Sequence, residues 1–200
     1  MERLFSFCRL PPGSLSVSFS TSSVLYRARA PYDTITKIIT ITVWIGLIAL
    51  LMFTVHLMII HKVPIEAFTT ATSLVLIVTL GILVGAYLFS PRGYELTLDG
   101  LVIRRVVKSF KIPYNNIIEV KRIEWTWKGI RWWASGGLYG FYGLFWRSGI
   151  GNVWMYVRDR SKMILIRTAD GTQYAISPEN PDEFLRKLEE ILKRERSRKF

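Results

Sequence analysis

Lys128, Arg131 and Arg147 are interleaved with Trp132, Trp133, Tyr142 and Trp146 in a stretch with no acidic residue between Glu124 and Asp159. Six of the seven tryptophans and seven of the fourteen glycines fall there, so it is the chemically most distinctive part of the chain. Large apolar rings with polar tips, and isolated cations beside them, suit a boundary between an apolar phase and water, where the cations meet lipid phosphates. Three readings stand side by side. The seven residues form a lipid-contacting surface, or they face a protein partner, or the stretch is a structural loop with two irregular strands whose aromatics fill the mouth of a β domain.

Bond-making chemistry finds little support. There is no Gly-x-x-x-x-Gly-Lys-Ser/Thr, no His-Glu-x-x-His and no Gly-x-Ser-x-Gly, and Gly149-Ile-Gly151 alone falls short of a nucleotide loop. No histidine follows residue 91. His56 and His61 have no acidic or thiol partner before Glu66, and Cys8 is the only cysteine, so neither a metal centre nor an intrachain disulfide is expected. The expectation is a binding protein without catalytic activity, metal or cofactor.

The elements that must position the stretch begin with two apolar runs. Ile38–Ile60 holds no charged residue, and as a helix it is ~34 Å long, enough to cross a bilayer core of about 30 Å. His61-Lys62-Val63-Pro64-Ile65-Glu66 interrupts it, and a second uncharged run, Ala67–Ser90, ends at Pro91-Arg92-Gly93. So short a connection predicts an antiparallel transmembrane hairpin, with helices at about 36–60 and 67–90. Arg27, Arg29 and Lys37 before it, and Arg92, Arg104 and Arg105 after it, put both termini on the cytoplasmic side of the inner membrane. Within the two uncharged runs, Ile38–Ile60 and Ala67–Ser90, there is no Asp, Glu, Lys or Arg, which argues against a transport path. Gly81-Ile-Leu-Val-Gly85 has the spacing that lets helices approach closely, against the first helix of the same chain or in a homo-oligomer.

Three segments follow: 1–33 as an N-terminal cytoplasmic segment, 34–90 as the hairpin, and 91–200 as a cytoplasmic domain. In the first, Leu15, Val17 and Phe19 alternate with serines, which reads either as an added edge strand or as a tail. The third carries 21 basic and 12 acidic residues, +9 of the whole chain's +12. Anionic lipid and nucleic acid both answer that charge, but a membrane tether presents lipid first. After Pro91 the pattern alternates with period two. Asp99-Gly100 and Asp170-Gly171 supply hairpin turns, and strands are expected near 94–98, 101–107, 110–112, 117–125, 153–157, 163–168 and 172–176. Asn180-Pro181 opens a closing helix whose stripe is Phe184, Leu185, Leu188, Ile191 and Leu192.

Ile112-Pro-Tyr-Asn-Asn-Ile-Ile-Glu-Val120, the spaced glycines Gly136-Gly-Leu-Tyr-Gly140-Phe-Tyr-Gly143, Val153–Val157, and Asp170-Gly-Thr-Gln-Tyr-Ala-Ile-Ser-Pro178 before Asp182-Glu-Phe184 resemble prokaryotic pleckstrin-homology (PH)-like domains. Such domains often follow a pair of membrane helices. The resemblance covers about residues 92–195. It implies a membrane-anchored α+β chain: a transmembrane hairpin followed by a PH-like antiparallel β-barrel or sandwich of about seven strands, capped by the C-terminal helix. It further implies a binding or scaffold role, toward anionic lipid headgroups or a membrane protein partner; the alternative is an accessory subunit of a membrane transport or enzyme complex. One departure argues against specific inositol-phosphate recognition. Phosphoinositide-binding relatives carry cations flanking the first hairpin loop, which here is the two-residue turn Asp99-Gly100. Arg104 and Arg105, further along, point to opposite faces of their strand.

Overall fold

The structure, a computed structural model, describes residues 15–16, 23–61, 64–124 and 129–197. Helices α1 (Thr34–His61) and α2 (Ile65–Phe89) form from the two apolar runs. Both are long and apolar enough to cross a membrane, and almost none of their surface is covered by the rest of the chain. Pro91 stops α2, because the residue before a proline is driven out of the helical region; Ser90 is extended, with φ −64° and ψ 136°.

The strands do not all follow the hairpin. β1 (Leu15–Ser16) pairs with Lys111 and Phe110, which places the N-terminal alternation at a sheet edge; Val17 and Phe19 lie outside the described residues. β2 (Val24–Arg29), expected to belong to a separate N-terminal segment, is a true strand of the domain and pairs antiparallel with β3 (Pro91–Thr97). Its Tyr26 and Ala28 alternate into the core, and Arg27 bridges to buried Glu95 at 2.7 Å. The helical hairpin is thus an insertion between two neighbouring strands. Four residues join β2 to α1 and one joins α2 to β3, so the domain has little freedom to swing.

β4 (Gly100–Arg105) and β5 (Phe110–Pro113) complete a five-stranded sheet in the order β1-β5-β4-β3-β2. A 3-10 turn, Tyr114–Asn116, leads to the second sheet. That sheet holds β6 (Ile117–Ile123), β7 (Gly129–Gly136), β8 (Phe141–Arg147), β9 (Gly151–Val157), β10 (Met163–Thr168) and β11 (Gln173–Ile176), in the order β6-β10-β11-β9-β8-β7. Eleven strands are therefore described where about seven were expected, and they form two sheets that do not close into a barrel. Nor is the pairing wholly antiparallel, since β9 and β11 run parallel (Met155 opposite Ala175). The chain from β9 to β10 has to pass over the end of β11 to make that pairing.

The two sheets face each other across a core that includes Tyr94, Leu96, Ile103, Phe110, Ile164 and Tyr174. Helix α3 (Pro181–Ser197) closes it with Phe184, Leu188 and Leu192 buried, the stripe expected from its spacing. The other face of the second sheet is apolar at its middle strands, with Met155, Met163 and Leu165 buried, and polar at its β6 edge, where Glu119 pairs with Lys121 and Arg167.

Candidate functional site at the junction of helices and domain

Asp33 precedes α1, and its carboxylate accepts the Thr36 backbone N–H at 2.5 Å, capping the helix. Its other oxygen takes the Arg160 Nε at 2.8 Å, in a pair that is almost fully buried. Burial pushes the Asp33 pKa up. The Thr36 N–H and the Arg160 guanidinium outweigh it and hold the carboxyl below its usual range. The Arg158 carbonyl accepts the Asp33 N–H and the Thr36 hydroxyl, each at 3.2 Å. The first turn of α1 is therefore fastened to the β9–β10 connection by side chain and backbone together.

The end of α2 is fastened to the same connection. Arg158 is buried, and its Nε and Nη2 donate to the Ser90 Oγ at 3.1 and 2.8 Å. Its Nη1 reaches the Ala30 carbonyl at 3.5 Å and its guanidinium lies 4.1 Å from the Tyr32 ring centre. Burial draws the Arg158 pKa down, although an arginine remains charged. Ser177, at the end of β11, accepts the backbone N–H groups of Arg158 and Asp159 at 2.9 and 3.2 Å, which pins the crossing turn. Tyr94 donates to the Tyr156 carbonyl and accepts the Ser177 N–H, and burial pushes its phenol up to about 12.

A third fastening comes from the glycine and aromatic stretch. β7 and β8 form a hairpin, and its turn enters between the two helices. Tyr139, at φ 56°, donates its N–H to Thr40 Oγ1 at 3.3 Å and accepts the Trp44 indole N–H on its hydroxyl at 3.2 Å, both on α1. On the α2 side its ring meets Tyr87 edge-on at 5.5 Å, and its carbonyl accepts the Ser90 hydroxyl at 2.7 Å. Gly137 has φ +115°, and a Cβ there would sit 2.5 Å from the Ile39 Cδ1, so the turn needs glycine for conformation and for space. Tyr142 donates to the Ala86 carbonyl at 2.7 Å. Beyond this wedge the helices leave an apolar cleft of about 460 Å³, flanked by Trp44, Ile48, Leu51 and Met58 on α1 and by Leu76 and Leu83 on α2.

Of the seven residues read as one lipid or partner surface, the three whose side chains are described, Tyr142, Trp146 and Arg147, do not share one exposed face. Lys128 lies outside the described residues. Arg131, Trp132 and Trp133 are on β7, an edge strand whose register shifts between Arg131 and Trp133. Tyr142 is buried against α2 and Arg147 is buried with its Nη2 on the Glu124 carbonyl, so neither offers the exposed contact expected of it. Trp146 is 38% exposed but sits at the other end of β8 from the turn. Gly81 and Gly85, expected to pack against α1 or in a homo-oligomer, do not face α1: an added Cβ on either meets nothing within 4 Å, and the α2 residues that face α1, Leu76, Leu80 and Leu83 among them, lie on the other side of the helix.

The residues that matter at the junction, Asp33, Ser90, Tyr139, Arg158 and Arg160, were missed. A capping signature was present in Asp33-Thr34-Ile35-Thr36, but nothing local marks Arg158 as the partner of a serine 68 positions away. No curated protein and no solved structure matches the chain. The bacterial PH domain family matches residues 92–192, from just after α2 to the last buried turn of α3. With half its length so matched, and with that stretch carrying both sheets' central strands and the closing helix, the chain belongs to the bacterial PH domain family.

Proposed function

We propose that this chain is a membrane-anchored, non-catalytic binding or scaffold protein. In this reading α1 and α2 cross the inner membrane, both termini are cytoplasmic, and the PH-like domain lies against anionic lipid headgroups. The observation that carries the reading is the junction itself. Three separate fastenings hold one end of the domain at the ends of two apolar helices, and that end is cationic. Arg29, Lys37 and Arg92 are exposed there and form no ion pair among the described residues. Asp33 is already paired with Arg160 and Asp159 with Lys162, leaving Glu179 as the exposed acid nearby. Lys37 stands in the first turn of α1, where the helix dipole disfavours a cation, so its placement suits a lipid phosphate better than it suits the helix.

The test is lipid retention by the full chain. Purified in mild detergent from membranes of mixed lipid, it should carry phosphatidylglycerol in preference to phosphatidylcholine in intact-complex mass spectra. Replacing Arg29, Lys37 and Arg92 together by glutamine should abolish that preference. An unchanged lipid profile in the triple variant would defeat the reading. A second reading, an accessory subunit of a membrane complex, draws on the unfilled cleft between α1 and α2 and on the uncovered Gly81 and Gly85. A fixed-stoichiometry protein partner in the same spectra, lost on Gly81→Leu, would favour it.

A further inference from the structure

The connection between β4 and β5 was not singled out by its sequence, yet it touches the end of α2. The Val107 N–H donates to the Leu88 carbonyl at 3.2 Å, one of the last-turn carbonyls that a helix cannot satisfy itself. Val106 and Val107 are 47% and 37% exposed, and Lys108 beside them is exposed and forms no ion pair among the described residues. Two adjacent valines thus present apolar surface to solvent at a loop tip beside the end of α2.

The loop is also held in one shape. Lys108 adopts φ 57°, a conformation unfavourable for any residue with a side chain. The Arg105 guanidinium folds back onto the Lys108 carbonyl, with Nε at 3.1 Å and Nη2 at 2.6 Å. It lies near the Phe110 and Tyr156 rings, at 5.3 and 5.5 Å from their centres. Ser109 accepts the Arg105 N–H at 3.2 Å and closes the turn. Arg92, the next cation along this end, rests on the Tyr87 ring of α2 at 4.4 Å.

We propose that Val106, Val107 and Lys108 form a further membrane contact, the two valines entering the headgroup layer beside α2 while Lys108 meets lipid phosphate. The proposal rests on α1 and α2 lying in a bilayer, and it names a contact distinct from the residues tested above. Continuity with the end of α2 sets the depth, and the cations on either side select an anionic surface over a neutral one. The Leu98-Asp99 turn, at the opposite end of the β3–β4 hairpin, has no such neighbour among the described residues.

Because Cys8 is the only cysteine, a C8S background allows a single reporter to be placed in the full chain. An environment-sensitive fluorophore at Val107→Cys, in vesicles containing phosphatidylglycerol, should shift to the blue and be quenched by lipids labelled near the headgroup. The same fluorophore at Leu98→Cys should behave as in water. Lys108→Gln should weaken the quenching at position 107 about fivefold in anionic vesicles and leave it unchanged in phosphatidylcholine alone. A water-like signal at 107 overturns the proposal; if phosphatidylglycerol is still retained, the broader functional reading survives it. A shifted but unquenched signal means that protein covers the loop, which overturns the proposal as well.

Discussion

Ser90 and Arg158 make an asymmetric prediction. Ser90→Ala removes one small hydroxyl, but it leaves a buried guanidinium facing only the Ala30 carbonyl at 3.5 Å and the Tyr32 ring. Two charge-assisted hydrogen bonds are lost, at 3.1 and 2.8 Å, each worth roughly 1.5–3 kcal/mol. The bond from Ser90 to the Tyr139 carbonyl, about 1 kcal/mol, goes with them. The sum is about 4–7 kcal/mol. Arg158→Met removes the whole cation and fills its volume, leaving only neutral acceptors unsatisfied, so it should cost about 1–3 kcal/mol. With methionine at 158, Ser90→Ala has only the Tyr139 bond left to break, about 1 kcal/mol more. Guanidinium unfolding in detergent, followed by tryptophan fluorescence, measures all three. The smaller side chain should be the costlier deletion, and the double variant should be more stable than Ser90→Ala alone. If Arg158→Met destabilises more than Ser90→Ala, or the two effects simply add, Arg158 is not held by Ser90 and the account of the junction fails.

The buried tyrosines make the domain sensitive to base. Burial raises Tyr94, Tyr142 and Tyr156 to about 12, whereas unfolded tyrosine ionises near 10. Above pH 10 the unfolded chain releases protons that the folded one keeps. Stability is therefore complete below pH 10 and falls as pH rises toward 12, by about 2.7 kcal/mol for each ring. Together, three rings roughly match a typical domain's whole margin of 5–15 kcal/mol. Tyrosinate absorbance should rise in step with loss of the circular-dichroism signal; ionisation near pH 10 with the fold intact would contradict it. For the wedge, Gly137→Ala should cost about 1–3 kcal/mol, because φ +115° is strained for alanine and its Cβ meets Ile39. Ile39→Ala should relieve the collision but not the backbone strain, so a double variant that regains full thermal stability would show that the turn tolerates a side chain.

What was readable in the sequence was local. The two apolar runs, the Asp170-Gly171 turn, the Asn180-Pro181 helix start and the stripe from Phe184 to Leu192 all announce themselves within a few residues and appear in the structure, while the first hairpin turns one residue earlier than expected, at Leu98-Asp99, with Gly100 opening β4. What was not readable depended on partners far away in the chain. Val24–Arg29 looked like a charged approach to the first helix because its pairing partner, β3, lies beyond both helices. The parallel pairing of β9 with β11 has no local sign at all. The aromatic stretch was read by composition, which does not say what its rings meet. Tyr139 and Tyr142 do lie at an apolar boundary, and the boundary is the chain's own helices.

Inserting the helices between β2 and β3 has a physical consequence for recognition. A hairpin attached by a flexible tail would let the domain present any face to the bilayer. Here α2 passes into β3 through Ser90 alone, and Ser90 is buried beneath Arg158 and Tyr139, so the domain's orientation relative to the helices is set by the chain itself. β3 then runs seven residues to the Leu98-Asp99 turn, ~20 Å along the strand from the end of α2. That turn occupies the position of the first hairpin loop in PH-like domains, and in this arrangement it is held away from the level of the helix ends. With α1 and α2 in a bilayer, as proposed, a ligand of that turn would approach from solution, while the Val106–Lys108 loop and the exposed cations Arg29, Lys37 and Arg92 stay beside the helices.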